Sequence, residues 1–117
     1  MTLQEYLTEF GKPLHDIGVH DWALSFSHAK ELVLLLNKKN ILLLGFDVYD
    51  LRENMIVGAW GLIEIEGEFS STEIERSYKE TLEKLENWRN ENYLYVIVPN
   101  DRFHYYNKII FESRINS

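Results

Sequence analysis

A short apolar run near the middle of the chain constrains the fold more than any other feature. It reads Ile41-Leu42-Leu43-Leu44, and the strand-like pattern continues through Gly45-Phe46-Asp47-Val48-Tyr49 to Leu51. Such a run predicts a strand buried on both faces, which other elements must cover. Gly45 indicates a bulge or the close approach of another backbone. From Phe46 onward the residues alternate, so we expect Asp47 to face away from the core.

Two helical patterns flank this strand. Residues 26–38 have a broad apolar face, with Ser25 or Ser27 as the predicted N-cap and Asn40 closing the helix. Residues 72–91 predict the longer helix, whose apolar stripe consists of Ile74, Tyr78, Leu82, Leu85 and Trp88. A shorter helix is predicted over residues 2–10.

Further strands are predicted over residues 55–59, 61–69, 93–98 and 108–112, from alternation and β-propensity. Helices on one side of such strands are the natural way to bury both. The sequence therefore predicts an α+β fold. We expect a mostly antiparallel sheet of four to five strands with two main helices packed on one face, in a single domain over residues 1–117.

The charge balance narrows the choice of partners. The net charge is −7 and the isoelectric point is near 5.0. Nucleic acids and anionic membranes attract clustered Lys and Arg, so we expect the chain to bind neither. A basic protein would be attracted instead.

Cysteine usage and the N-terminal residues bear on the compartment. The chain has no cysteine, which removes disulfides and thiolate metal sites. Its first residues lack a signal-peptide pattern, and no apolar run approaches the roughly 20 residues that span a bilayer. We therefore expect a cytoplasmic location.

The search for catalytic chemistry gives little. There is no cysteine nucleophile, no Gly-x-Ser-x-Gly motif, and no phosphate-loop or dinucleotide-binding pattern. Two His-Asp pairs could supply nitrogen and oxygen ligands for a metal: His15, Asp16, His20 and Asp21. Because Asp in such pairs commonly stabilises turns, and because their spacing matches no helical His pair, we expect no metal at this loop.

Acidic and aromatic side chains suggest a binding surface instead. Glu64, Glu66 and Glu68 lie on one face of the predicted strand 61–69, where like charges repel one another unless they are exposed or matched by cations. Tyr49 and Trp60 lie near acidic residues or turns rather than in clean apolar patterns. Large rings of this kind are favoured as anchors in protein interfaces.

Two segments of the chain resemble a known family. They are Asp21-Trp22-Ala23-Leu24-Ser25, which precedes a helix, and the strand from Ile41 to Tyr49. With Trp60 after a turn and Ser77 and Tyr78 on the second helix, they resemble the bacterial polymorphic-toxin immunity proteins of the family numbered forty, over about residues 16–98. The chain departs from that pattern at Leu44, where a glycine is usual, and at Phe46.

The resemblance implies a cytoplasmic α+β protein, encoded beside a toxin, that binds and inhibits this toxin without catalysis or a cofactor. We expect the partner to be a basic toxin domain. The predicted partner-binding residues are Asp47, Tyr49, Asp50, Trp60, Glu64, Glu66 and Glu68.

Two other functions stay open on the sequence. The first is a small metal-dependent or acid–base enzyme that uses the loop of His15, Asp16, His20 and Asp21. The second is a structural subunit that pairs with another copy through an edge strand, at 93–98 or 108–112. The sequence does not decide between a monomer and a homodimer.

Overall fold

The computed structural model describes residues 1–14, 22–61, 71–100 and 110. The described elements, in chain order, are α1 (Leu3–Phe10), β1 (Lys12–Pro13), β2 (Trp22–Ala23), α2 (Phe26–Lys38), β3 (Leu43–Asp50), β4 (Met55–Gly61), α3 (Ser71–Asn87) and β5 (Tyr93–Pro99). The predicted strand 61–69 lies outside the described residues except for Gly61. The predicted strand 108–112 also lies outside the described residues, except for Ile110. This residue is buried and donates its N–H to the Met1 carbonyl.

The strand β3 lies at the centre of a three-stranded antiparallel sheet with the order β4-β3-β5. Phe46 shows the register, since it pairs with Trp60 on β4 and with Ile97 on β5. The strands β1 and β2 form a second antiparallel sheet, and a bridge between Leu24 and Tyr95 links it to β5. The α+β prediction is confirmed, and the five described strands divide between two sheets.

Both faces of β3 are buried, as its apolar pattern predicts. On one face, Phe46 and Val48 join the main core with α2 and α3, which pack on the sheet and on each other. On the other face, Tyr49 packs with Val96 and is covered by Leu14 and Ala23. The main core contains Leu3, Tyr6, Leu24, Ala29, Leu32, Val33, Leu36, Ile41, Leu43, Phe46, Val48, Leu85, Tyr95, Ile97 and Ile110.

Gly45 permits the close approach of β4 that its position in β3 predicts. Its φ of +149° is a conformation that other residues rarely adopt. An added Cβ would overlap the carbonyl oxygen of Trp60 and would lie 2.6 Å from the Cα of Gly61. The register against β5 also shifts between Leu43 and Gly45, so this position combines an irregular register with close packing.

The helix α2 begins and ends where its sequence predicts. Ser25 is the N-cap, and its hydroxyl accepts the backbone N–H of His28. At the other end Asn40 has a φ of +58°, and the N–H of Ile41 returns to the Leu36 carbonyl at 3.0 Å. This Schellman arrangement satisfies a carbonyl that the end of the helix would otherwise leave without a partner.

The helix α3 ends at Asn87, four residues before its predicted end. The cause is the buried hydroxyl of Tyr95, which donates to the Trp88 carbonyl at 2.8 Å and accepts the N–H of Asn90 at 3.2 Å. The Asn90 side chain then accepts the N–H of Asn92 in a local turn. The buried positions of α3 are Ser77, Thr81 and Leu85, so its inner face is more polar than its predicted apolar stripe.

Candidate functional site

The turn between β3 and β4 is held by the carboxylate of Asp50. Its Oδ1 accepts the backbone N–H of Arg52 at 2.8 Å and that of Glu53 at 3.4 Å. Its Oδ2 lies 3.5 Å from the Arg52 guanidinium. The carboxylate thus takes the role that an N-cap side chain has in a helix, by satisfying turn N–H groups that would otherwise have no acceptor.

The environment of Asp50 acts on its pKa in two directions. Burial opposes ionisation and raises the pKa. The hydrogen bonds from the backbone and side chain of Arg52, that from the backbone of Glu53 and the charge of Arg52 outweigh burial. The pKa of Asp50 therefore lies below its ordinary value, so the turn is held by an ionised carboxylate at neutral pH.

Three further contacts fix the same turn. Asn54 has a φ of +55°, and its N–H donates to the Asp50 carbonyl at 2.8 Å. The hydroxyl of Tyr49 donates to Oδ1 of Asn54. On the β5 side, the N–H of Leu51 donates to the Asn92 carbonyl at 2.9 Å. The turn is consequently attached to both neighbouring segments and has little freedom to change shape.

Apolar side chains project from this held turn. Leu51 is 43% exposed, Met55 51% and Val57 38%, and with Leu34 on α2 they are the exposed large hydrophobic residues of the described chain. Arg52 and Glu53 lie between them in sequence and are exposed as well. We call Leu51, Arg52, Glu53, Met55 and Val57 the hairpin tip. The hairpin tip was not predicted from the sequence, because the pattern around Met55 and Val57 indicates an ordinary strand.

The predicted binding residues are not all on one surface. Tyr49 is 1% exposed and Asp50 3%, so in this structure both support the hairpin from beneath. Asp47 is half-buried and pairs with Ala59 and Val96, on the sheet face away from the helices. Trp60 is half-buried on the opposite face, where its ring lies 6.0 Å from that of Phe46. Asp47 and Trp60 therefore lie on opposite faces of the sheet.

The remaining predicted residues lie outside the described part of the chain. This holds for Glu64, Glu66 and Glu68, and for the proposed ligand set His15, Asp16, His20 and Asp21. Within the described residues, no group of three or more His, Asp or Glu side chains could hold a metal ion. No helix in the same part of the chain is long and apolar enough to cross a membrane.

A second exposed feature is an open groove of about 480 Å³ between α2 and α3. Its apolar lining comes from Phe26, Leu34, Tyr78 and Leu82. Its cations already have partners: the Arg89 guanidinium lies 4.7 Å from the centre of the Phe26 ring, and Lys30 lies 3.1 Å from Glu86. The groove therefore resembles a solvated helix–helix seam more than an enclosed ligand pocket.

The described part of the chain is thus an α+β protein that presents a hydrogen-bonded, partly apolar hairpin turn and contains no metal-binding cluster. The family model described as Immunity protein 40 matches residues 13–99, which is most of the chain, and the protein belongs to this family. The resemblance drawn from the sequence is confirmed. Comparison with curated proteins gives no match, and comparison with solved structures gives none.

Proposed function

We propose that this protein is the immunity partner of a bacterial toxin domain, which it binds and neutralises in the cytoplasm by protein–protein inhibition. The observation that carries the proposal is its membership of the immunity-protein family over residues 13–99. The excess of acidic residues supports a basic partner, because a net charge of −7 attracts cationic surfaces and repels anionic ones. Inhibition by occupying a surface requires no catalytic group.

The charged part of the proposed interface consists of Asp47, Glu64, Glu66 and Glu68. Their expected role is to accelerate the encounter with the toxin and to select the correct partner, which is what complementary charges achieve most effectively. Trp60 is proposed as an aromatic contact at a separate edge of the interface. Because Tyr49 and Asp50 are buried, we assign them the role of holding the hairpin in its binding shape.

Calorimetric titration of the protein into the purified toxin domain encoded beside it tests the proposal. We expect saturable, equimolar binding and an interface of the standard size, about 1,600 Å² in total. A basic protein of similar size and unrelated sequence is the control, since it would reveal attraction by charge alone. If a correctly folded, active toxin domain gives neither a heat of binding nor a complex with this protein, the proposal is refuted.

The enzyme alternative stays a prediction of the sequence. It depends on His15, Asp16, His20 and Asp21, which lie outside the described residues. Elemental analysis of the purified protein tests it directly. Stoichiometric zinc or iron, lost on substitution of His15 and His20 by Ala, would favour it over the immunity proposal.

A further inference from the structure

We propose that the hairpin tip is the part of this protein that enters the toxin domain, where Leu51 and Met55 occupy an apolar depression bordered by basic residues. This inference rests on the proposed function and makes it specific, since it names the contacting surface and the chemistry of the surface that receives it. It differs from the sequence prediction, which named neither Leu51 nor Met55 as a partner contact.

The first argument is the concentration of exposed apolar surface. Three of the four exposed large hydrophobic residues in the described chain, Leu51, Met55 and Val57, fall within seven consecutive positions. Single exposed apolar side chains are common, whereas a local group of them marks a surface that another molecule covers. Methionine and arginine, both present in the tip, are also enriched at protein interfaces.

The second argument is that the tip is already ordered. Asp50 holds the N–H groups of Arg52 and Glu53, Asn54 is held by Tyr49, and Leu51 is held by Asn92. A loop fixed in this way loses little conformational entropy on binding, so more of its contact energy appears as affinity. These hydrogen bonds involve the backbone and the buried side chains of Tyr49 and Asp50, so they leave the apolar side chains of the tip exposed.

The third argument concerns charge and shape. The tip is a hairpin turn in which residues 51–55 are all exposed, so it fits a depression better than a second convex surface. Arg52 is already paired with Asp50, whereas the carboxylate of Glu53 has no cationic partner among the described residues. A basic side chain of the toxin would therefore pair with Glu53 at the edge of the apolar contact, which agrees with the net charge of −7.

The groove between α2 and α3 fits this partner less well. Its exposed apolar residue is the single Leu34, whereas the hairpin tip has three, and its lining contains two cations, Lys30 and Arg89, against the one carboxylate of Glu31. Leu34 is 40% exposed and so matches Leu51 in both residue type and exposure, on a different element of the fold. The chain thus supplies its own control position.

The test is biolayer interferometry of the toxin domain encoded beside this protein against three full-length forms: the unaltered protein, the double variant Leu51→Ser/Met55→Ser and the control Leu34→Ser. We expect the double variant to bind about 30-fold more weakly or worse, the loss typical of hot-spot residues. Leu34→Ser should bind within about threefold of the unaltered protein. Thermal unfolding of each form establishes that the variants are folded.

The outcomes separate this inference from the proposed function. If the unaltered protein binds and the double variant binds equally well, the hairpin tip is not the contact, although the immunity function stands. If Leu34→Ser loses as much affinity as the double variant, the groove between α2 and α3 is the interface and the inference is wrong. If the unaltered protein does not bind at all, both proposals fail. If either hairpin substitution unfolds the protein, Glu53→Lys is used in its place, and unchanged affinity of that variant overturns the inference.

Discussion

Two buried hydroxyl groups on the inner face of α3 offer a matched test of how this helix is held on the sheet. Ser77 and Thr81 lie one helical turn apart, and both are fully buried. The Ser77 hydroxyl accepts the N–H of Leu43 at 3.2 Å and donates to the Ile74 carbonyl at 2.8 Å. The Thr81 hydroxyl has no hydrogen-bond partner in the part of the chain that the structure describes.

The different partners predict opposite effects of removing the two hydroxyls. In Ser77→Ala the N–H at the start of β3 loses its acceptor, which costs about 1–3 kcal/mol when the group is buried. The better helix propensity of alanine returns about 0.5 kcal/mol, so we expect a net loss of about 1–2 kcal/mol in the free energy of unfolding. Thr81→Val keeps the shape and removes an unpaired polar group, and it should be neutral or stabilising by about 1 kcal/mol.

Urea denaturation followed by tryptophan fluorescence and far-ultraviolet circular dichroism measures both changes. The midpoints should move in opposite directions, or only that of Ser77→Ala should move, while the dependence on urea stays unchanged. An unfolding free energy for Ser77→Ala equal to that of the unaltered protein would refute the claim that this serine attaches α3 to β3. A large loss in Thr81→Val would show that its hydroxyl has a partner after all.

Three further predictions concern the backbone, the hairpin turn and the acidic residues. Gly45→Ala should lower the free energy of unfolding by about 3 kcal/mol or more, because it combines backbone strain with overlap against β4. Gly61→Ala is the milder control, since its added Cβ would lie 3.2 Å from the Leu44 carbonyl oxygen, and equal losses of the two variants in urea denaturation would contradict the reasoning. Since folding lowers the pKa of Asp50, its charge stabilises the folded state fully above the unfolded-state value near 3.8, and this contribution disappears as the pH falls through the folded-state pKa. The stability difference between the unaltered protein and Asp50→Asn should therefore shrink below about pH 4 in denaturation series at several pH values, and a constant difference would contradict this origin. Glu64→Lys with Glu66→Lys should slow association with the toxin roughly tenfold or more while leaving thermal stability nearly unchanged, and an unaltered association rate in stopped-flow mixing would remove the acidic residues from the proposed interface.

The features that could be predicted from sequence are those whose cause lies within a few residues. The bounds of α2 follow from Ser25 at its start and Asn40 after its end, and both act on neighbouring backbone groups. The close approach at Gly45 was also predictable, since a glycine inside a buried strand often marks a bulge or the close approach of another backbone. In each case the residue type alone indicates the local conformation.

The features that could not be predicted depend on contacts between distant segments. The early end of α3 is caused by the hydroxyl of Tyr95, which no helical pattern reveals. The burial of Tyr49 depends on Leu14, and these two residues lie far apart in the sequence. The hairpin tip was missed for the opposite reason: Met55 and Val57 have the pattern of a strand, and only the structure shows that their side chains are exposed.

The same distinction explains why the sequence-based site is only partly brought together. Alternation predicted that Asp47 lies in a strand, whereas Trp60 followed the predicted strand 55–59 without belonging to it. Neither pattern shows that Asp47 and Trp60 fall on opposite faces of the sheet. The register that decides this is set by Phe46 opposite Trp60 and by the approach at Gly45. Which residues share a contact surface therefore depends on how the strands pair, and the pattern of a single strand does not reveal this pairing.

Growth of bacteria that produce the proposed partner, a toxin domain, with and without this protein is the decisive test of the immunity function. We expect the toxin domain alone to stop growth and co-production of the full chain to restore it, while the Leu51→Ser/Met55→Ser variant at the same cellular level restores it poorly. If growth stays arrested although both proteins accumulate in folded form, the protein is not the immunity partner of that toxin.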